Sequence, residues 1–188
     1  MDRMSARRAW LAILVAVVLL PVFVRHAIAT EIWIFAIFGL GLNLLMGYTG
    51  LLSFGQATFF GSAAYVAGYL LKYYGIDVFL ALGIGVVVGA ASAAVVGYLC
   101  VQRSGLYFIM LTFALNQMFF FTAYQWTTVT GGEDGMPGVP RPSVLGLDIH
   151  APLAYYAVVA VLFLASLWIM QRIVESPLGK ILTAIREN

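Results

Sequence analysis

Several neutral polar side chains interrupt stretches of this sequence that are otherwise apolar. Thr112 and Asn116 stand four residues apart, so they share a helix face, as Ser53 and Gln56 do at a spacing of three. Amides and hydroxyls can hydrogen-bond a small solute, and inside a membrane they also join one helix to another. Both uses stay open for each residue. The candidates for lining a solute path are Asn43, Ser53, Gln56, Thr112, Asn116 and Gln117.

Groups that catalysis, metal binding or proton transfer would need are missing from the apolar stretches. These stretches contain no Asp, Glu, Lys or Arg, which disfavours a proton-coupled carrier, although sodium coupling through carbonyls stays open. Cys100 is the single cysteine, and His26 and His150 join no acidic or cysteine cluster. The G-x-S-x-G and G-x-x-x-x-G-K-[ST] motifs are absent. We therefore expect no enzyme and no cofactor, metal or nucleotide site in this chain, and a net charge of +2 gives no reason to expect nucleic acid.

The composition requires the polar groups to be positioned by membrane-spanning helices. Hydrophobic residues make up 63% of the 188 residues and charged residues only 10%, which excludes a water-soluble globule. A helix needs about 20 apolar residues to cross a bilayer. The charge-free stretches therefore predict an all-α, polytopic bundle of about six spans. The predicted spans cover residues 10–29, two crossings within 32–71, and 78–101, 106–124 and 152–171.

The distribution of basic residues predicts the orientation of the chain. With two crossings in 32–71 and an internal N-terminus, 7 Lys and Arg residues are cytoplasmic and 3 are external, whereas one crossing would divide them 5 to 5. We therefore expect both termini in the cytoplasm, with residues 1–29 as an uncleaved anchor. If these residues are instead a signal peptide cleaved near Ala29, Glu31 still starts outside and the later topology is unchanged. The expected cytoplasmic residues are Arg3, Arg7, Arg8, Arg103, Arg172, Lys180 and Arg186, and the external ones are Arg25, Lys72 and Arg141.

Two glycine patterns predict special features of the helices. Gly47, Thr49 and Gly50 interrupt the run 32–71 and leave about 15 residues before them, or roughly 22 Å of helix, which is short for a span. Such a break can be a hinge beside a solute path, or it can be a tight cytoplasmic turn. The fourth predicted span carries small residues at every fourth position, which indicates close helix packing. These are Gly85, Gly89, Ala93 and Gly97.

Two segments lie outside the predicted spans. The external connection 125–151 is rich in Gly and Pro, and we expect it either to contact an external partner or line the outer mouth, or to be a solvated connector. Its central residues are Gly131, Gly132, Glu133, Asp134 and Gly135. On the cytoplasmic side, Ser176 and Pro177 are suited to start a helix with the apolar stripe Leu178, Ile181, Leu182 and Ile185. This helix fits a lipid surface, a lead into another span, or a partner groove approached closely at Gly179.

Three stretches together resemble the integral-membrane permease subunits of branched-chain amino acid ABC transporters of the LivM type. They are GLNLLMGYTGLLSFGQA at 41–57, TGGEDG at 130–135 with Gly138 and Pro140, and SPLGK at 176–180 followed by AIREN at 184–188. Gln56 stands where many relatives have His, which weakens a protonation role there. Family members continue with further helices beyond the last motif, so the resemblance implies that this chain is a truncated or N-terminal portion.

The resemblance also implies partners and a mechanism. It implies a multi-pass protein of the bacterial inner membrane that pairs with a second permease, two cytoplasmic ATPases and an external solute-binding protein, with ATP used only by the ATPases. The solute would be a branched-chain or other small amino acid. Residues 1–171 would form the permease domain, and residues 172–188 would be a cytoplasmic segment that couples it to the ATPases. A permease for urea or short amides, and a secondary carrier or channel, are the alternatives.

Overall fold

Every element in the described part of the chain is helical. The computed structural model describes residues 3–102, 105–140 and 151–187. Long helices alternate with short turns, and π-helical turns extend two of them. The elements are α1 (Arg3–Phe23), α2 (His26–Asn43) with a π-turn (Leu44–Tyr48), α3 (Gln56–Tyr69) with a π-turn (Leu70–Tyr74), α4 (Val78–Val101), α5 (Leu106–Gln125), α6 (Thr127–Thr130), a 3-10 turn (Gly132–Asp134), α7 (Pro152–Glu175) and α8 (Pro177–Glu187).

The all-helical, multi-pass architecture expected from the sequence is confirmed, but the count of six spans is not. Four helices of the described residues are long and apolar enough to cross a membrane: His26–Tyr48, Val78–Val101, Leu106–Gln125 and Pro152–Glu175. The apolar part of α1, Trp10–Phe23, is shorter than a typical span. The helical stretch 56–74 contains Gln56, Lys72 and several tyrosines, which lower its hydropathy.

The boundary between the first two helices differs from the prediction. A single span over 10–29 was expected, whereas α1 ends at Phe23 and α2 begins at His26. Pro21 in the last turn of α1 has no N–H, so it cannot bond the carbonyl of Val17 and it disturbs the helix. The earlier start makes the helix before the glycine break 23 residues long, from His26 to Tyr48, so this crossing is not short.

The chain divides into two compact units, of which one contains the described residues 3–41 and 151–180. Its core is formed by Ala29, Trp33, Tyr156, Val159, Ala160 and Phe163. The ring centroids of Trp33 and Phe163 are 4.6 Å apart. Trp33 Nε1 donates to the Tyr156 hydroxyl at 2.9 Å, and that hydroxyl donates to the Val17 carbonyl at 2.6 Å. The Val17 carbonyl, which has no N–H partner at Pro21, therefore accepts a hydrogen bond from Tyr156 instead.

The other unit contains the described residues 42–102, 105–140 and 181–187. Helices α3 and α4 approach closely, because a Cβ atom at Gly85 would lie 3.0 Å from the Ala63 carbonyl oxygen and one at Gly89 would lie 3.2 Å from Ala63 Cβ. A Cβ atom at Gly97 would meet nothing within 4 Å. Of the stripe Gly85, Gly89, Ala93 and Gly97, the two glycines Gly85 and Gly89 therefore form the close contact with α3. A separate cluster of Val96, Cys100 and Phe108 joins α4 to α5.

Candidate functional site

The break after α2 is held by hydrogen bonds to carbonyls that the helix no longer uses. The Thr49 hydroxyl and the backbone N–H of Leu51, the latter at 3.3 Å, both donate to the Leu45 carbonyl. Arg186 Nη1 donates to the Gly47 carbonyl at 2.7 Å. Gly50 has a φ of +72°, a left-handed conformation that favours glycine. The chain therefore turns at the expected glycines, and the Leu45 and Gly47 carbonyls near the helix end are bonded.

Asn43 lies just before this break rather than in a helix interface. Its side chain folds over Gly47, where an added Cβ atom would overlap the Asn43 Oδ1 atom. Asn43 is exposed. The absence of a side chain at Gly47 therefore makes room for the Asn43 side chain of the same helix, not for a neighbouring helix.

Ser53 and Thr112 stabilise the far side of the break. Ser53 is buried, and its Oγ accepts the backbone N–H of Gly55 at 3.2 Å. The Thr112 hydroxyl accepts the N–H of Phe54 at 3.3 Å and donates to the Ile109 carbonyl at 2.9 Å. Thr112 is only 1% exposed. These two hydroxyls thus bond the backbone, while Gln56 is half-buried at the first position of α3.

An open cavity of about 510 Å³ lies between α3, α5 and the glycine turn that follows them. Its polar lining includes Thr58, Ser62, Asn116, Tyr124 and Glu133, and Phe119 and Phe120 contribute apolar wall. The Thr58 hydroxyl donates to Asn116 Oδ1 at 2.8 Å. Among the described residues the Asn116 amide nitrogen has no acceptor, so it is available to a molecule in the cavity. Six residues were proposed from the sequence to line a path, and of these Asn116 lines this cavity. Gln117 is half-buried and does not belong to the lining.

The glycine turn at the mouth of the cavity folds back onto the end of α5. Thr130 Oγ1 donates to the carbonyls of Ala123 at 2.5 Å and Trp126 at 2.9 Å and accepts the N–H of Gly132 at 3.2 Å. Gly131 has a φ of +84°, and a Cβ atom there would overlap the Gly135 carbonyl. The Tyr124 hydroxyl donates to Glu133 Oε2 at 3.3 Å, which sets that carboxylate beside the cavity. Asp134 is exposed.

Sequence reasoning missed Thr58 and Tyr124. Thr58 is 58 residues from its partner Asn116, so no local spacing indicates the pair. Tyr124 lies nine residues before Glu133, and the intervening turn is what brings them together. Within the described part of the chain, no group of three or more His, Cys, Asp or Glu residues could hold a metal ion. The cavity lining is mainly apolar, with a few uncharged polar side chains and the Glu133 carboxylate.

The elbow between α7 and α8 is tight. The Ser176 hydroxyl donates back to the Ile173 carbonyl at 2.6 Å, although the sequence suggested a cap for the following helix. Gly179 is buried, and a Cβ atom there would overlap the Val174 carbonyl, so the close approach at this glycine is to its own chain. Leu178, Ile181 and Ile185 are 62%, 55% and 57% exposed, whereas Leu182 is half-buried. An apolar face of α8 thus remains open along the helix.

Comparisons with known proteins connect these features to a family. The family model described as branched-chain amino acid transport system / permease component matches residues 24–188. The high-affinity branched-chain amino acid transport system permease protein LivM of Salmonella typhimurium is 28% identical over 204 residues, covering 95% of this chain and 48% of that protein. The Escherichia coli protein of the same name is 29% identical over 203 residues, covering 94% and 48%. The chain thus spans about half the length of these curated relatives, and no solved structure matches it.

Proposed function

The chain belongs to the family of branched-chain amino acid transport permease components, and on that premise we propose that it forms part of the solute pathway of an ABC importer. The family consists of multi-pass membrane transport components, not enzymes, and carries no cofactor. The proposed solutes are branched-chain or other small amino acids. The proposed partners are a second permease, two cytoplasmic ATPases and an external solute-binding protein.

The cavity between α3 and α5 is the observation that carries the proposal. Its volume of about 510 Å³ lies within the range of roughly 300–1,000 Å³ that small-molecule sites occupy. An α-amino acid needs an acceptor for its ammonium group and a donor for its carboxylate, and the lining contains the Glu133 carboxylate and the Asn116 amide, which are groups of these two kinds. The rings of Phe119 and Phe120 offer apolar contact to an aliphatic side chain.

The open face of α8 supports coupling to an ATPase. The sequence has no nucleotide-binding motif, so in an ABC importer the ATP would be used by a partner. Leu178, Ile181 and Ile185 project an apolar stripe of the kind that enters a partner's hydrophobic groove. Residues 172–188 are proposed to be the coupling segment, and residues 1–171 the permease domain.

The proposed orientation places both termini in the cytoplasm and residues 125–151 and Lys72 outside, in a bacterial inner membrane. It follows from the distribution of basic residues in the sequence. Residues 103, 104 and 141–150, which include Arg103, Arg141 and His150, lie outside the described residues.

Uptake in proteoliposomes tests the proposed function. The protein is reconstituted with its second permease, the ATPases and the binding protein, and entry of labelled leucine is measured with and without ATP. We expect uptake only when both ATPases and ATP are present. Uptake that persists without the ATPases would contradict the proposal and indicate a secondary carrier or channel. Competition by urea or acetamide, with no competition by valine or isoleucine, would assign the solute to short amides instead.

A further inference from the structure

Arg186, near the end of α8, reaches the broken end of α2. Its Nη1 atom lies 2.7 Å from the Gly47 carbonyl oxygen, across 139 residues of sequence. Its aliphatic part passes over Gly50, because a Cβ atom added to Gly50 would lie 3.1 Å from Arg186 Cγ. The same side chain therefore contacts both glycines of the break, one through a hydrogen bond and one through packing.

The electrostatics of a helix end favour this contact. The last carbonyls of a helix lack N–H partners and carry a partial negative charge, which attracts a cation. The Leu45 carbonyl is bonded by Thr49 and Leu51, and the Gly47 carbonyl is bonded by the guanidinium of Arg186. A hydrogen bond from a charged donor is roughly twice as strong as one between neutral groups. Arg186 thus gives a charged partner to one carbonyl of the helix end.

The break in turn contacts both helices that line the cavity. The backbone N–H of Phe54, inside the break, donates to Thr112 on α5 at 3.3 Å. Gly55 caps α3, and on the next turn of that helix Thr58 donates to Asn116 in the cavity wall at 2.8 Å. A displacement of residues 49–55 would therefore change the positions of α3 and α5 at the cavity.

We propose that Arg186 is a positioning residue that links α8 mechanically to residues 49–55, so that a movement of α8 is transmitted to the cavity. This inference rests on the proposed function, in which an ATPase moves α8. Arg186 lies beside the apolar stripe, four residues after Leu182, and its head group bonds this chain rather than a partner. The contact of α8 with the ATPase and its contact with the break are thus made by different residues of one helix.

Arg186→Gln in the complete assembly tests the link, with Arg25→Gln as the matched control. Glutamine has no charge and its amide ends closer to the backbone, so it loses the bond to the Gly47 carbonyl. Arg25 is exposed between α1 and α2 and lies outside the proposed coupling segment. We expect Arg186→Gln to lower leucine uptake about tenfold while ATPase co-purification stays normal. The control should keep uptake within about twofold of the unaltered protein.

Hydrogen–deuterium exchange of residues 45–55 separates linkage from simple stabilisation. In the unaltered assembly, exchange in this segment should change when nucleotide is added, and in Arg186→Gln it should become independent of nucleotide. Arg186→Lys keeps the charge and should recover part of the nucleotide response and of the uptake. If Arg186→Gln lowers the amount of folded permease, the lysine variant alone decides, and a lysine variant with no recovery contradicts the link.

Other outcomes overturn the inference without touching the proposed function. Unaltered uptake in Arg186→Gln, or a nucleotide response that persists in it, would show that the contact transmits nothing. Loss of ATPase co-purification in the same variant would assign Arg186 to the partner interface instead. The proposed function itself fails only if uptake in the unaltered assembly does not require the ATPases.

Discussion

Asn116 is the polar residue for which solute contact and helix packing predict different results. Its Oδ1 atom accepts from Thr58, and the residue lines the cavity. An interhelical hydrogen bond in a membrane contributes on average about 0.6 kcal/mol, so its loss should scarcely change stability. We expect Asn116→Leu to lower leucine uptake about tenfold with little change in the thermal unfolding temperature.

Gln117→Leu is the matched control for Asn116→Leu, since Gln117 is the next residue and does not line the cavity. Its uptake should remain close to that of the unaltered protein. Equal losses of uptake and of folded protein in Asn116→Leu would support packing as the role of this side chain. Asn43 was also a candidate for the solute path in the sequence analysis, but its side chain covers Gly47, so Asn43→Leu tests the break and not the solute contact.

Tyr156 and Pro21 form a pair whose effects on stability should not be additive. The Tyr156 hydroxyl donates to the Val17 carbonyl, which Pro21 cannot bond, and it accepts from Trp33. Tyr156→Phe should lower the free energy of unfolding by about 1–3 kcal/mol, because a partly buried carbonyl and a buried indole N–H lose their partner. In a Pro21→Ala background the new N–H of residue 21 can bond Val17, so the same substitution should cost less.

Denaturant unfolding of the four variants measures this coupling. Tyr98→Phe serves as the control, because Tyr98 is 74% exposed and its hydroxyl should contribute little. Tyr156→Phe could lower the free energy of unfolding equally with Pro21 and with Ala at position 21. That result would show that the hydrogen bond from Tyr156 to the Val17 carbonyl does not compensate for the missing N–H of Pro21. That result would also remove our explanation for the early end of α1.

At the scale of single elements, α8 carries the prediction on energy coupling. Ile181 is 55% exposed on the apolar face, so an aspartate there disturbs the folded chain little but would leave an unpaired charge in the proposed ATPase groove. We expect Ile181→Asp to cost a few kcal/mol of binding and to abolish both ATPase co-purification and solute-stimulated ATP hydrolysis. Solute binding to the external protein should stay normal.

Leu182→Asp provides a graded comparison on the same helix. Leu182 is half-buried, so this variant should lose ATPase binding and also some folded protein, whereas Ile181→Asp should lose only the former. Lys180→Gln, one residue before Ile181 and exposed, tests charge without changing the apolar stripe. Transport and co-purification that survive Ile181→Asp would make α8 a connector.

The elements that the sequence predicted well are those bounded by charged residues. The prediction of a span over 78–101 coincides with α4, and those over 106–124 and 152–171 match α5 and α7 apart from their last residues. Charge cannot reveal a break inside an apolar run, so the end of α1 near Pro21 was missed. The cavity could not be predicted either, because it depends on contacts such as Thr58 with Asn116 that only the packing of α3, α5 and the glycine turn creates.

At the scale of the whole molecule, the family relationship says more about architecture than about solute. The relatives named as branched-chain amino acid permeases are about twice as long as this chain, and identity is 28% and 29%. The side chains that would choose a solute are few, and a single change among Asn116, Tyr124 and Glu133 would alter the hydrogen bonds offered in the cavity. Solute choice is therefore tested by competition and not by similarity.

Membrane orientation is the remaining whole-molecule prediction, and single-cysteine labelling decides it. Helices α4 and α5 are 24 and 20 residues long, so each can cross the membrane once. Tyr74 and Glu133 are then expected on one side of the membrane, and Arg103 on the other. Tyr74 is 68% exposed and close to Lys72, which makes it a suitable labelling site. With Cys100 replaced, cysteines at positions 74 and 133 should react with an impermeant thiol reagent added outside intact cells, and those at 103 and 187 only after the membrane is opened. External labelling at position 103 would show that the orientation is the reverse of the proposed one. The basic residues after α7 would then also face outward, which would contradict the docking of cytoplasmic ATPases on α8.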